Sequence, residues 1–183
     1  MLGNKLMTKV IFCLLLTFIS MATIDGEPRA GRPNFTGTWQ LRLSQSGNAR
    51  EKLLNDGHKL SVLMRDAIES VNFLTITHRD SQFEVSDNTE REWALSLDGR
   101  KVEQTTQRDG KIVGFAQWEG DRLSFVMQTP DGGKIVEIFE LASMGRRLSV
   151  TVRLESQRLS RPLVIRRVYE RVGDIISSRG TPN

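Results

Sequence analysis

Near the end of the chain, Arg167 and Tyr169 stand where a charge and a phenol are least expected. The segment alternates, with Leu163, Ile165, Arg167 and Tyr169 on one face of an extended strand and Val164, Arg166, Val168 and Glu170 on the other. If the first face is buried, a guanidinium lies among aliphatic side chains. An unpaired buried charge costs several kcal/mol, so Arg167 then needs a partner. One candidate is Glu137, which shares a face with Ile135, Phe139 and Leu141 and is out of place there. Acid–base catalysis, by contrast, needs groups converging on one point. His58 falls in a helical stretch and His78 at a strand end, where Arg79 and Asp80 read as its surface turn partners. Glu90, Glu92, Asp98, Glu103 and Asp109 cluster around turns and polar strand faces, where solvation explains them. The single cysteine, Cys13, lies inside an apolar run, and no spacing marks a metal or an activated nucleophile. The expectation is a protein that is not an enzyme and has no cofactor and no metal.

These residues are positioned by short strands. Trp39, Leu41 and Leu43 alternate with Thr38, Gln40 and Arg42, the period of a half-buried strand. A helical insert follows. It opens with a capping-box-like Asn48-Ala49-Arg50-Glu51, breaks at Asn55-Asp56-Gly57, and resumes with Leu60, Leu63, Met64, Ala67, Ile68 and Val71 at helical spacing. Beyond it, runs at Phe73–His78, Phe83–Val85, Trp93–Leu97, Val102–Gln107, Ile112–Trp118, Leu123–Met127, Ile135–Leu141, Leu148–Leu154 and Leu163–Tyr169 are separated by turn residues. Asp98-Gly99, Asp109-Gly110 and Gly132-Gly133 are hairpin signals. The chain therefore reads as all-β: an antiparallel up-and-down barrel of about 8–10 strands with a short helical insert after the first strand. A two-sheet sandwich is the alternative.

Length and composition fit one such domain: 183 residues, 38% hydrophobic and 26% charged. Met1–Lys9 carries two lysines and no acid, Val10–Ile19 is apolar apart from Thr17, and Ser20-Met21-Ala22 supplies small residues for a cut. That is the pattern of a secretory signal peptide over 1–22, with an N-terminal anchor as the alternative. The expected organisation is a flexible leader at 23–33, a barrel domain at 34–172 and a loose tail at 173–183. The expected location, after cleavage near Ala22, is periplasmic or extracellular, and a cysteine-free mature chain is compatible with that. Without Lys5 and Lys9 the 26 basic residues become 24 against 22 acids, too even for a nucleic-acid footprint. No apolar run is long enough for a spanning helix. Between Arg146 and Arg179 there are nine arginines against three acids, whereas Asp80–Glu140 is acidic. Cross-strand neutralisation is one reading, and weak contact with an anionic surface is the other.

Two segments carry a family resemblance. Phe35-Thr36-Gly37-Thr38-Trp39 resembles the Gly-x-Trp opening of the calycins, and Ile165-Arg166-Arg167-Val168-Tyr169-Glu170-Arg171 resembles the closing Arg-x-Tyr strand of their fatty-acid-binding branch. Trp118–Leu123 and Asp131-Gly132-Gly133 are similar to segments of exported bacterial lipocalin-like proteins, a group without an established activity. The resemblance spans about 34–172. It implies that Arg167 or Arg166 stacks on Trp39, or that Arg167 and Tyr169 receive the carboxylate of a bound amphiphile, alongside the Glu137 pairing. The resulting candidate site is Arg167, Tyr169, Trp39 and Glu137. The leading expectation is a monomeric carrier of a small hydrophobic or fatty-acid-like ligand. The alternative is a filled barrel acting through its surface in the cell envelope.

Overall fold

The computed structural model describes residues 31–69, 71–89, 91–106 and 110–173. The expected signal peptide, most of the leader and the tail beyond residue 173 lie outside the described residues. Ten strands form one sheet: β1 (Gly37–Leu41), β2 (Phe73–Arg79), β3 (Gln82–Asp87), β4 (Glu92–Ser96), β5 (Val102–Thr106), β6 (Gly110–Glu119), β7 (Arg122–Gln128), β8 (Lys134–Leu141), β9 (Arg147–Glu155) and β10 (Leu163–Gly173). The spatial order is β4-β3-β2-β1-β10-β9-β8-β7-β6-β5, all neighbours antiparallel. Pairing of the first strand with the last bends the meander into a nearly closed barrel, open only between β4 and β5. This is the up-and-down barrel that the alternation predicts, and not a sandwich.

The alternation works because one face of most strands meets the lumen. Leu74 and Ile76 of β2, Phe83 and Val85 of β3, and Trp93 and Leu95 of β4 are buried, while Phe73, Thr75, Glu84 and Ala94 between them are exposed. On β7, Leu123, Phe125 and Met127 point the same way. The β6–β7 and β7–β8 connections use Gly120 and Gly132 at φ of 65° and 79°, where a β-carbon would be strained.

The insert between β1 and β2 contains two short helices, α1 (Ala49–Asp56) and α2 (Val62–Ile68), joined by a 3₁₀ turn at Gly57–Lys59. The expected cap holds at the start of α1, where the Asn48 side chain accepts from the Glu51 amide at 3.1 Å. The helical spacing overshoots at the other end: α2 stops at Ile68, and Val71 is buried beyond it. Helix α1 buries none of its side chains, whereas α2 sends Met64, Ala67 and Ile68 into the core. Met64 presses on Gly133, just before β8, so closely that a β-carbon there has no room. Among the described residues, no helix is long and apolar enough to cross a membrane.

Candidate functional site

Strand β10 places Arg167 and Tyr169 inside the barrel, both buried, as the alternation requires. Arg167 is 3% exposed, and its Nη2 donates to the carbonyl oxygens of Ala67 at 2.7 Å and Glu69 at 2.5 Å. Those oxygens belong to the last turn of α2, where helix carbonyls lack partners within the helix and carry the negative end of its dipole. The buried cation thus finds its counter-dipole in backbone. It does not pair with Glu137, and it does not stack on Trp39.

The register accounts for the first correction. Arg167 lies opposite Val150, whereas Glu137 lies opposite Val152 on one side and Phe125 on the other. Glu137 is 1% exposed and takes its cation from outside the strand series: Arg91 Nη1 donates to Glu137 Oε1 at 2.8 Å. Arg91 Nε also donates to Asp87 Oδ2 at 2.9 Å, making an Asp87–Arg91–Glu137 relay from the β3–β4 connection into the lumen. Burial works against the Arg91 charge, but the two carboxylates outweigh it and raise its pKa above the ordinary arginine range.

Two fully buried polar groups here keep unmet hydrogen-bonding capacity: Glu137 Oε2 as an acceptor, and the Tyr169 hydroxyl as a donor, its oxygen being close to the Arg167 guanidinium. Desolvation pushes the Tyr169 pKa up to about 12. Its neighbours pull in opposite directions, with Arg167 and Arg91 favouring the phenolate and Glu137 opposing it. Arg91, Glu137, Arg167 and Tyr169 therefore form one polar group inside an apolar barrel, beside the end of α2.

Further along β10, Arg171 makes the contact expected of Arg167 or Arg166. Its guanidinium lies 4.4 Å from the Trp39 ring centroid. A register shift between Thr38 and Trp39 brings Trp39 opposite Arg171. Arg171 Nε donates to Gly145 O at 3.0 Å and Nη1 to Thr36 O. The indole Nε1 of Trp39 donates to Phe35 O at 3.0 Å. Trp39 is thus a fully buried part of the packing, held by Phe35 and Arg171.

Phe35 joins a cluster with His78, Phe83, Trp118 and Phe139, and Arg32 lies over Trp118 at 5.0 Å. His78 is half-buried in this cluster rather than exposed at a turn: its Nδ1 accepts from the Phe35 amide at 3.4 Å. Burial lowers its pKa, and Asp80 partly opposes that. His58 is exposed on the turn between the helices. Among the described residues, no three His, Cys, Asp or Glu side chains are grouped to hold a metal.

The lumen is closely filled. Trp39, Phe83, Phe125, Leu123, Ile135, Leu148, Val152 and Tyr169 are 0% exposed. Gly114 of β6 faces inward, and a β-carbon there would lie 2.9 Å from Trp93 Cζ3 and 3.1 Å from Phe125 Cε2. Outside, arginines of the later strands face acids or hydroxyls. Arg147 lies 3.9 Å from Glu170, Arg153 lies 2.8 Å from Glu155, and Arg166 donates to Ser149 Oγ at 2.7 Å.

Sequence reasoning thus finds Arg167, Tyr169, Glu137 and Trp39 as inward residues and misses Arg91, Asp87 and Arg171. Extending the β10 alternation two residues past Tyr169 would have found Arg171. For Arg91, in a connection between strands, the sequence carries no comparable signal.

No protein-family model matches the sequence, and no curated protein sequence matches it. Solved structures do share the fold. An apo lipid binding protein of Caenorhabditis elegans superposes with a TM-score of 0.53 at 17% identity, over 75% of this chain and 94% of that one. A Schistosoma mansoni fatty acid binding protein in complex with arachidonic acid gives 0.55 at 15%, over 78% and 98%. A secretory abundant heat soluble protein of Ramazzottius varieornatus gives 0.53 at 14%, over 74% and 93%. What these structures share with this chain is the fold, a ten-stranded up-and-down barrel with a short helical insert after the first strand.

Proposed function

We propose that this barrel binds a small hydrophobic or amphipathic molecule, with its polar end among Arg91, Glu137, Arg167 and Tyr169. The observation that carries the reading is the pair of fully buried polar groups with unmet hydrogen-bonding capacity, Glu137 Oε2 and Tyr169 Oη, beside two guanidinia. Buried polar groups are nearly always satisfied, and leaving one unmade costs about 1–3 kcal/mol. A polar group of a bound molecule would satisfy both. Structural neighbours named for lipid and fatty-acid binding support the same reading. We further propose, from the basic start, apolar run and small-residue cut of 1–22, that the chain acts outside the cytoplasm.

The packing of the lumen favours a second reading, a filled barrel that acts through its surface. Native mass spectrometry of protein purified from its own compartment, followed by solvent extraction, separates the two. A stoichiometric apolar adduct is expected. Bare protein that also fails to take up a fluorescent acyl probe would favour the filled barrel.

A further inference from the structure

We infer that the polar end of the ligand is a neutral group that both donates and accepts a hydrogen bond, such as a primary alcohol or primary amide, and not a carboxylate. This rests on the binding reading above and specifies its chemistry. The interior group already balances in formal charge: Arg91 pairs with both Asp87 and Glu137, and the second cation, Arg167, is held by the carbonyls at the end of α2. Arg167 uses Nη2 to hold the end of α2, and Arg91 uses Nη1 and Nε to hold Glu137 and Asp87. Neither guanidinium therefore presents an uncommitted two-pronged fork, the geometry that suits carboxylate.

The two groups with unmet capacity set complementary demands. Glu137 Oε2, in a side chain with 1% exposure, can only accept while its carboxylate pairs with Arg91, so it calls for a donor. The Tyr169 hydroxyl can donate, so it calls for an acceptor. One alcohol or primary amide carries both complements, a donor for Glu137 and an acceptor for Tyr169. A carboxylate would meet Tyr169, but it would oppose Glu137 and leave an uncompensated negative charge in an apolar barrel. A neutral head with an apolar body leaves the balance unchanged.

The test compares decan-1-ol, decanamide and decanoate on the mature chain at neutral pH, following the backbone and indole resonances of the lumen by NMR titration. Dissociation constants for the alcohol and the amide at least tenfold below that of decanoate are expected. Glu137→Gln should shrink that ratio to threefold or less, because the amide no longer repels an anion. Tyr169→Phe should weaken the alcohol about tenfold while leaving its site in place. Decanoate binding as tightly as the alcohol in the natural sequence would overturn the inference while leaving the carrier reading intact. So would a preference unchanged by a folded Glu137→Gln. If no probe moves any lumen resonance, both fall. Should Glu137→Gln fail to fold, the ratio in the natural sequence and the Tyr169→Phe result decide.

Discussion

The contact most open to attack is Arg167 with the end of α2. Replacing it by methionine keeps an apolar stem of similar reach and removes the guanidinium. The structure shows two charge-assisted bonds, at 2.7 and 2.5 Å, to carbonyls of Ala67 and Glu69. Hydrogen bonds to charged groups contribute about 1.5–3 kcal/mol each, and their loss leaves the helix-end carbonyls without that donor. Against this, the variant no longer buries a charge, which recovers part of the desolvation cost. A net loss of about 2–4 kcal/mol follows, or roughly 5–15 °C in melting temperature for a domain of this size. The loss should also be local. Amide exchange should speed first in α2, whose Glu69 amide bonds to Arg65 O at 2.9 Å, while β7–β9 stay protected. Calorimetry and hydrogen exchange on Arg167→Met measure both. A melting temperature within about 2 °C of the natural chain, with exchange in α2 unchanged, would refute the view that Arg167 holds the end of α2.

Tyr169 is the only tyrosine, so absorbance at alkaline pH reports it alone. Its phenol should ionise near pH 12, against about 10 in an unfolded chain. Because the folded value is the higher one, the stabilisation is fully present below pH 10 and is lost as pH rises toward 12. It is on the order of 2–3 kcal/mol, and a midpoint at 10 in folded protein would contradict the burial. For His78, whose folded pKa is depressed, the sign is opposite: stability is present above its unfolded value and falls as pH drops below it, as titration of its ring protons alongside urea melts should show. Gly114→Ala should cost about 1–3 kcal/mol by overpacking Trp93 and Phe125, and unchanged denaturant unfolding would mean that the lumen has slack. Arg171→Ala should destabilise by at least the ~0.5–2 kcal/mol of a cation–π contact and shift the Trp39 indole resonance, and a stationary resonance would deny that contact.

The barrel is legible in the sequence because its rule is local. Every inward run, from Leu74 and Ile76 to Ile165 and Arg167, repeats at two residues, and turn glycines such as Gly120 and Gly132 punctuate the runs. The same rule places Glu137, Arg167 and Tyr169 inside. It says nothing about what they meet there, because partners across a barrel are set by register and by segments outside the repeat. Arg91 lies 46 residues before Glu137 and reaches it from a connection beside the β4–β5 opening. The partners of Arg167 are backbone carbonyls, which have no residue type to read. Trp39 meets Arg171 through a register shift that no alternation pattern encodes.

Those misses have one physical source, and it bears on function. Each of these buried or half-buried arginines is satisfied by a different device: α2 carbonyls for Arg167, two carboxylates for Arg91, an indole face and backbone carbonyls for Arg171. The charges inside are thus occupied before any ligand arrives. Within this polar group, what remains unmet is hydrogen-bonding capacity, one acceptor on the Glu137 carboxylate and one donor on Tyr169. On the binding reading proposed above, a barrel that has committed its closing-strand arginine to its own helix would recognise a polar end by hydrogen bonding to a neutral group rather than by pairing with a charged one. Salt should therefore leave the affinity of an alcohol ligand nearly unchanged, since screening acts on charge and hardly on a buried neutral contact. A tenfold weakening between low salt and about 0.5 M would mean that an ion pair, and not hydrogen bonds to a neutral head, holds the ligand.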